Sequence, residues 1–69
     1  MKRRYYILPV PNEPLAIVYG AFSDFSAECY AKAQGLTIAG GSYFAESVAV
    51  RDVQAKYGRC LVSRQRLVH

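Results

Sequence analysis

The sequence predicts a small α+β fold: an antiparallel sheet of about three to four strands with one or two helices packed on one face. Three observations carry that expectation. Short runs rich in aromatic and branched residues alternate with proline- and glycine-rich punctuation, as in strands joined by turns. One stretch, residues 23–35, carries both a helix-start and a helix-stop signal. The chain has 69 residues, 52% hydrophobic and 20% charged, which suits a single compact domain over residues 1–69. A chain of this size buries only about 60% of its unfolded surface, so its core is thin.

R-Y-Y-I-L-P-V, residues 4–10, reads as the first strand, with Pro9 either restricting it to a sheet edge or ending its pairing. P-V-P-N-E-P follows as a rigid turn into L-A-I-V-Y-G-A-F, residues 15–22. That run is apolar on both alternating faces, as expected of a central strand covered on both sides or of a strand in a dimer interface. The two strands are expected to form a hairpin.

In S-D-F-S-A-E-C-Y-A-K-A-Q-G, Ser23 is a natural N-cap, Asp24 puts negative charge on the first turn, and Gly35 is the expected stop, leaving about eleven helical residues. Phe25, Cys29 and Ala33 fall within an arc of about 80° at about 100° per residue. The expectation is that this stripe faces the sheet, with Cys29 acting as a small hydrophobe and not as a reactive thiol. Residues 36–39 read as a short strand or a connector, and G-G-S at 40–42 as a turn. Residues 43–57 read as a second helix with Val50, Val53 and Tyr57 on one stripe, an Asp52 to Lys56 pair, Ser42 in front and Gly58 behind. The alternating S-V-A-V within it keeps a strand open as the alternative. R-C-L-V-S, residues 59–63, is the last strand.

Catalysis, cofactors and metals find little support. The single histidine is His69 at the end of the chain, where nothing orients it, and two cysteines with one histidine fall short of a four-ligand zinc site. Glu46 and Asp52 would lie on different faces of the second helix. Residues 35–42 come within one residue of a phosphate-cradling loop, but Gly41 stands where the lysine belongs. What survives is an anion held by backbone N–H groups near Ser42, should a helix start there; a plain turn accounts for the stretch better. Ala31, Gly35 and Leu36 have the spacing of a helix-turn-helix, yet Gly40 and Gly41 would sit inside its recognition helix. The chain is therefore read as non-enzymatic, with no cofactor.

Nine Lys and Arg against five Asp and Glu give a net charge of +4. Lys2, Arg3, Arg4, Arg64 and Arg66 crowd the two ends. If the first and last strands are antiparallel neighbours, these cations meet beside Tyr5 and Tyr6. Cations interleaved with aromatics suit an acidic protein surface and also phosphate contact with base stacking. The candidate partner-binding residues are thus Lys2, Arg3, Arg4, Tyr5, Tyr6, Arg64 and Arg66, with Tyr43 or Tyr57 as further anchors. The expected partner is a protein or nucleoprotein complex with an acidic surface, with direct binding of nucleic acid as the alternative. A homodimer through residues 15–22 is compatible with either. M-K-R-R imitates the start of a secretory signal, but Y-Y-I-L meets Pro9, Pro11 and Pro14 too soon, and no apolar run spans a membrane. The reading is cytoplasmic, with reduced thiols.

In its length, its opening M-K followed by Y-Y-I, and the helix begun by Ser23, Ser26 and Ala27 with Ala31 after two strands, the chain resembles some small phage-encoded anti-CRISPR proteins. That resemblance implies a non-catalytic inhibitor that docks on a nucleic-acid-handling complex and blocks its substrate or its moving parts.

Overall fold

A computed structural model describes residues 3–64, the last of them by its backbone only. The elements run β1 (Arg4–Pro9), β2 (Leu15–Ala21), α1 (Asp24–Gln34), β3 (Ala39–Tyr43), α2 (Glu46–Tyr57) and β4 (Arg59–Arg64), and the strands form one sheet in the order β3-β1-β2-β4. This is a small α+β fold.

The expected hairpin is present. β1 and β2 pair antiparallel from Arg4 opposite Ala21 to Pro9 opposite Ala16. The turn is closed by Val10 N–H donating to the Leu15 carbonyl at 3.0 Å and Glu13 N–H to the Val10 carbonyl at 3.3 Å. Asn12 takes the left-handed conformation at φ 64°, which asparagine tolerates better than most residues. Pro9 ends the pairing; β1 lies inside the sheet, so Pro9 does not mark an edge.

β2 is the central strand covered on both sides. Ile17, Tyr19 and Ala21 face one cluster, and Ala16 and Val18 face the other. Both of its edges are taken, by β1 and by β4. Ala16, Val18, Tyr19 and Ala21 are buried within one chain, which accounts for the apolar faces of this strand without a second copy.

Helix α1 has the expected ends. Ser23 Oγ accepts from Ser26 N–H at 3.1 Å, and Gly35 turns the chain out at φ 70°. Its phase is not the expected one. Phe25, Cys29 and Ala33 lie on the exposed side, and the helix buries Ala27 and Ala31. The observed phase sets Asp24 toward the sheet, where its carboxylate accepts a 2.5 Å hydrogen bond from the Tyr6 hydroxyl. Asp24, Ala27 and Ala31 share an arc of about 60°, so the carboxylate and the two alanines face the sheet together. Small side chains then let the helix approach closely, and the Tyr19 and Tyr30 rings stack at 3.9 Å and 3°.

The G-G-S stretch is not a turn. It forms the middle of β3, an edge strand whose register against β1 shifts between Tyr5 and Ile7. Gly40, at φ 69°, supplies the conformation that such a bulge requires. With Ser42 in a strand, α2 starts later, at Glu46, behind Ala45, which makes no side-chain cap bond. Neither a serine-capped anion site nor a recognition helix after Gly35 exists here. The helical reading of α2 holds, with Val53 fully buried and Val50 and Tyr57 packed beside it. Gly58 ends it, and Arg59 N–H donates to the Pro14 carbonyl at 3.1 Å, tying the start of β4 to the hairpin loop.

Two features of the expected architecture are corrected. The sheet is mixed, because β4 pairs parallel to β2, from Leu15 opposite Arg59 to Gly20 opposite Arg64. A helix placed between strands carries the chain back to its starting end, so the strand after it runs parallel to the one before. The helices also sit on opposite faces, α1 over Tyr6, Leu8 and Tyr19, and α2 over Ile7, Ala16 and Val18. The connection β2-α1-β3 travels across the sheet one way and β3-α2-β4 travels back. Crossovers of one hand that move in opposite directions must use opposite faces.

Candidate functional site

The start of β1 and the ends of β2, β3 and β4 all lie at one end of the sheet, because β1 runs opposite to the other three. Successive residues point to opposite faces, so Arg3 and Arg4 diverge. On the α2 side, the Arg3 guanidinium lies 4.8 Å from the ring centre of Phe22. On the α1 side, the Arg4 guanidinium lies 5.2 Å from that of Phe44, and Arg4 Nε donates to Ser42 Oγ at 2.6 Å. The two cations thus each rest on a phenyl ring, one per face of the sheet.

Phe44 is 87% exposed and Phe25, at the beginning of α1, is 75% exposed. Isolated exposed apolar residues are ordinary. An exposed ring that also carries a guanidinium is different, since the stack orients the cation and leaves the outer surface of the pair amphipathic. The hydrogen bond to Ser42 removes further freedom from the Arg4 side chain. A guanidinium held in this way retains in-plane donors suited to carboxylate or phosphate oxygens.

The residues expected at this site distribute as follows. Arg3, Arg4 and Tyr5 are brought to it. Lys2 and Arg66 lie outside the described residues. Arg64 ends β4 opposite Gly20, at the same end of the sheet as Arg4 but with β2 between them, so the first and last strands are not neighbours. Two strand spacings, about 10 Å, separate them. Tyr6 is turned into the core beneath α1. It is 4% exposed, and burial together with the Asp24 hydrogen bond pushes its hydroxyl up to about 12. Tyr5 is half-buried and lies across Gly20: a β-carbon at position 20 would stand 3.0 Å from Tyr5 Cε1 and 3.2 Å from Arg3 Cδ.

Tyr43 and Tyr57 are occupied in the fold. The Tyr43 hydroxyl donates to Asp52 Oδ2 at 2.5 Å, and Lys56 Nζ stands 3.3 Å from the same oxygen. The bond to Asp52 raises the Tyr43 hydroxyl, the bond from Tyr43 lowers the Asp52 carboxyl, and Asp52 in turn raises Lys56. Tyr57 packs on the α2 core. Phe22, Phe44 and Ser42 were not expected at the site. Their signal is weak in the sequence, because a single phenylalanine just past a strand reads equally as core.

Both cysteines are free thiols, Cys29 exposed and Cys60 half-buried. Burial, with a lesser contribution from Glu46, pushes the Cys60 thiol up. Among the described residues no three His, Cys, Asp or Glu side chains are grouped to hold a metal, and no helix is long and apolar enough to cross a membrane. A cleft of about 460 Å³ between α1 and β3 is lined by Tyr6, Asp24, Glu28, Gly40 and Ser42 among others. Its acidic residues, Asp24 and Glu28, come from α1, and Ser42, which accepts from Arg4, belongs to the same lining. Compared with protein-family models, with curated proteins and with solved structures, the chain has no significant match.

Proposed function

We propose that this protein is a non-enzymatic basic binding protein, an inhibitor or adaptor that docks on a protein or nucleoprotein assembly with an acidic surface and acts by occupying it. The observation that carries the reading is the pair of arginine-on-phenylalanine stacks at one end of the sheet, one of them on a ring that is 87% exposed. Arginine and aromatic residues are the frequent anchors of interfaces, and ordering the arginines in the free protein lowers the entropy lost on docking. The net charge of +4 favours an anionic counterpart. The resemblance to small phage-encoded anti-CRISPR inhibitors points the same way.

Direct binding of single-stranded nucleic acid is the second reading, favoured by one feature: the outer face of Phe44 is open beside a stacked guanidinium, an arrangement on which a base can stack. The test replaces Arg3, Arg4 and Phe44 by alanine in the full chain. Arg4 and Phe44 are exposed and Arg3 is half-buried, so an unchanged circular dichroism spectrum of the triple variant is the control for folding. Capture of the partner from the native host should be lost, and undiminished capture by the triple variant would place the interface elsewhere. Binding of the wild type to single-stranded DNA or RNA, weakening as salt rises with a slope set by the phosphates contacted, would favour the second reading.

A further inference from the structure

The two edges of the sheet are unlike. β3 is interrupted by its register shift and holds two exposed glycines, Gly40 and Gly41. β4 keeps an unbroken register with β2 from Arg59 to Arg64, and among the described residues nothing pairs with its outer side. At its middle, Leu61 and Val62 are 50% and 47% exposed. Being adjacent, they point to opposite faces. Native proteins usually protect such an edge with a bulge or an inward charge, and a flat edge with apolar side chains at its centre recruits another strand.

We propose that β4 pairs antiparallel with β4 of a second copy about a two-fold axis between the two Leu61 residues, joining two four-stranded sheets into one. Strand geometry limits the registers. Backbone groups alternate sides along a strand, so the residues of β4 that present N–H and C=O outward are all odd-numbered or all even-numbered. Antiparallel hydrogen-bonded pairs join two outward-presenting residues. The numbers of facing residues must therefore sum to an even value. This excludes the register centred between Leu61 and Val62, the one that sets Arg59 against Arg64. Centring on Leu61 places Leu61 against Leu61 of the other copy, Val62 against Cys60, and Arg59 against Ser63. Each apolar residue meets an apolar or thiol side chain.

The strand is thus complementary to itself, as an isologous contact requires. A single strand pair is a small contact, so the association is expected to be weak and concentration-dependent. The two-fold axis would aim the arginine-bearing ends of the two copies in opposite directions, letting one dimer engage two targets.

Sedimentation of the full chain under reducing conditions, over a dilution series, should show monomer converting to dimer as concentration rises. Leu61→Lys should remain monomeric throughout with an unchanged circular dichroism spectrum. In a Cys29→Ser, Cys60→Ser background, Leu61→Cys should form a disulfide-linked dimer on mild oxidation faster than Val62→Cys, because position 61 faces itself and position 62 faces position 60. A wild type that stays monomeric at the highest concentration, a dimer that survives Leu61→Lys, or faster cross-linking through position 62 would each overturn the proposal.

Discussion

Gly20 and Tyr5 form a cross-strand pair in which a missing side chain on β2 makes room for a ring on β1. Gly20→Ala puts a β-carbon 3.0 Å from Tyr5 Cε1 and 3.2 Å from Arg3 Cδ. Both distances are inside ordinary van der Waals contact, so the ring and the arginine stem must shift. Overpacking of this kind costs about 1–3 kcal/mol. Against it stands the smaller unfolded-state entropy of alanine, a gain of about 0.4–1 kcal/mol where the backbone tolerates it. Gly20 is not among the glycines with positive φ, so that gain applies. The difference leaves Gly20→Ala destabilising by about 1–2 kcal/mol, and in a Tyr5→Ala background the same change should be neutral or slightly stabilising. Urea denaturation of the wild type, the two single variants and the double variant closes the cycle, with an unchanged slope confirming comparable unfolding. Equal cost in both backgrounds, or a stabilising Gly20→Ala in the wild type, refutes the idea that Tyr5 is held over this glycine. Because Arg3 shares the crowded space, Gly20→Ala should also weaken partner capture.

Tyr6→Phe removes the hydroxyl bonded to Asp24 and should cost about 1–2 kcal/mol, less than a fully buried charged hydrogen bond because the hydroxyl lines an open cleft. In the wild type the Tyr6 hydroxyl sits at about 12 in place of 10, so the folded protein holds a proton that the unfolded chain releases between those values. Its contribution is complete below pH 10 and is lost as pH rises toward 12, so the stability gap between wild type and Tyr6→Phe should shrink over that interval; a gap that widens there contradicts the assignment. Asp52 has the opposite sign: its carboxyl is lowered, so its contribution is present above the ordinary carboxylate range and fades as acid protonates it, and Asp52→Asn should flatten the acid limb of a denaturation series. Leu8, fully buried under α1, should cost about 2–5 kcal/mol on truncation to alanine, read by the same urea series. Exposed Cys29 should react with a thiol reagent well before Cys60, and Cys29→Ser should change stability by under about 0.5 kcal/mol; a slow Cys29 would return that side chain to the core.

Local chemistry was legible along the chain. Proline spacing places the hairpin turn, Ser23 and Gly35 bound the first helix, and the Val50, Val53, Tyr57 stripe finds the buried side of the second. Each of these signals acts over a few residues, and each is read from residue type alone. The candidate site was half legible: Arg3 and Arg4 announce themselves by charge, whereas their phenylalanine partners do not. Phe22 and Phe44 sit 19 and 40 positions from the arginines they carry, and only strand register brings them together.

Which stripe of α1 faces inward shows only in tertiary contacts, the packing of Ala27 and Ala31 on the sheet and the bond between Asp24 and Tyr6, eighteen positions apart. Alanine on one side of the helix and phenylalanine on the other are both apolar, so periodicity could not choose between them. The parallel placement of β4, its place at the end of the strand order and the use of both sheet faces arise from how two crossovers of one hand share one sheet. That choice depends on the packing of distant segments, and no short stretch of residues encodes it alone.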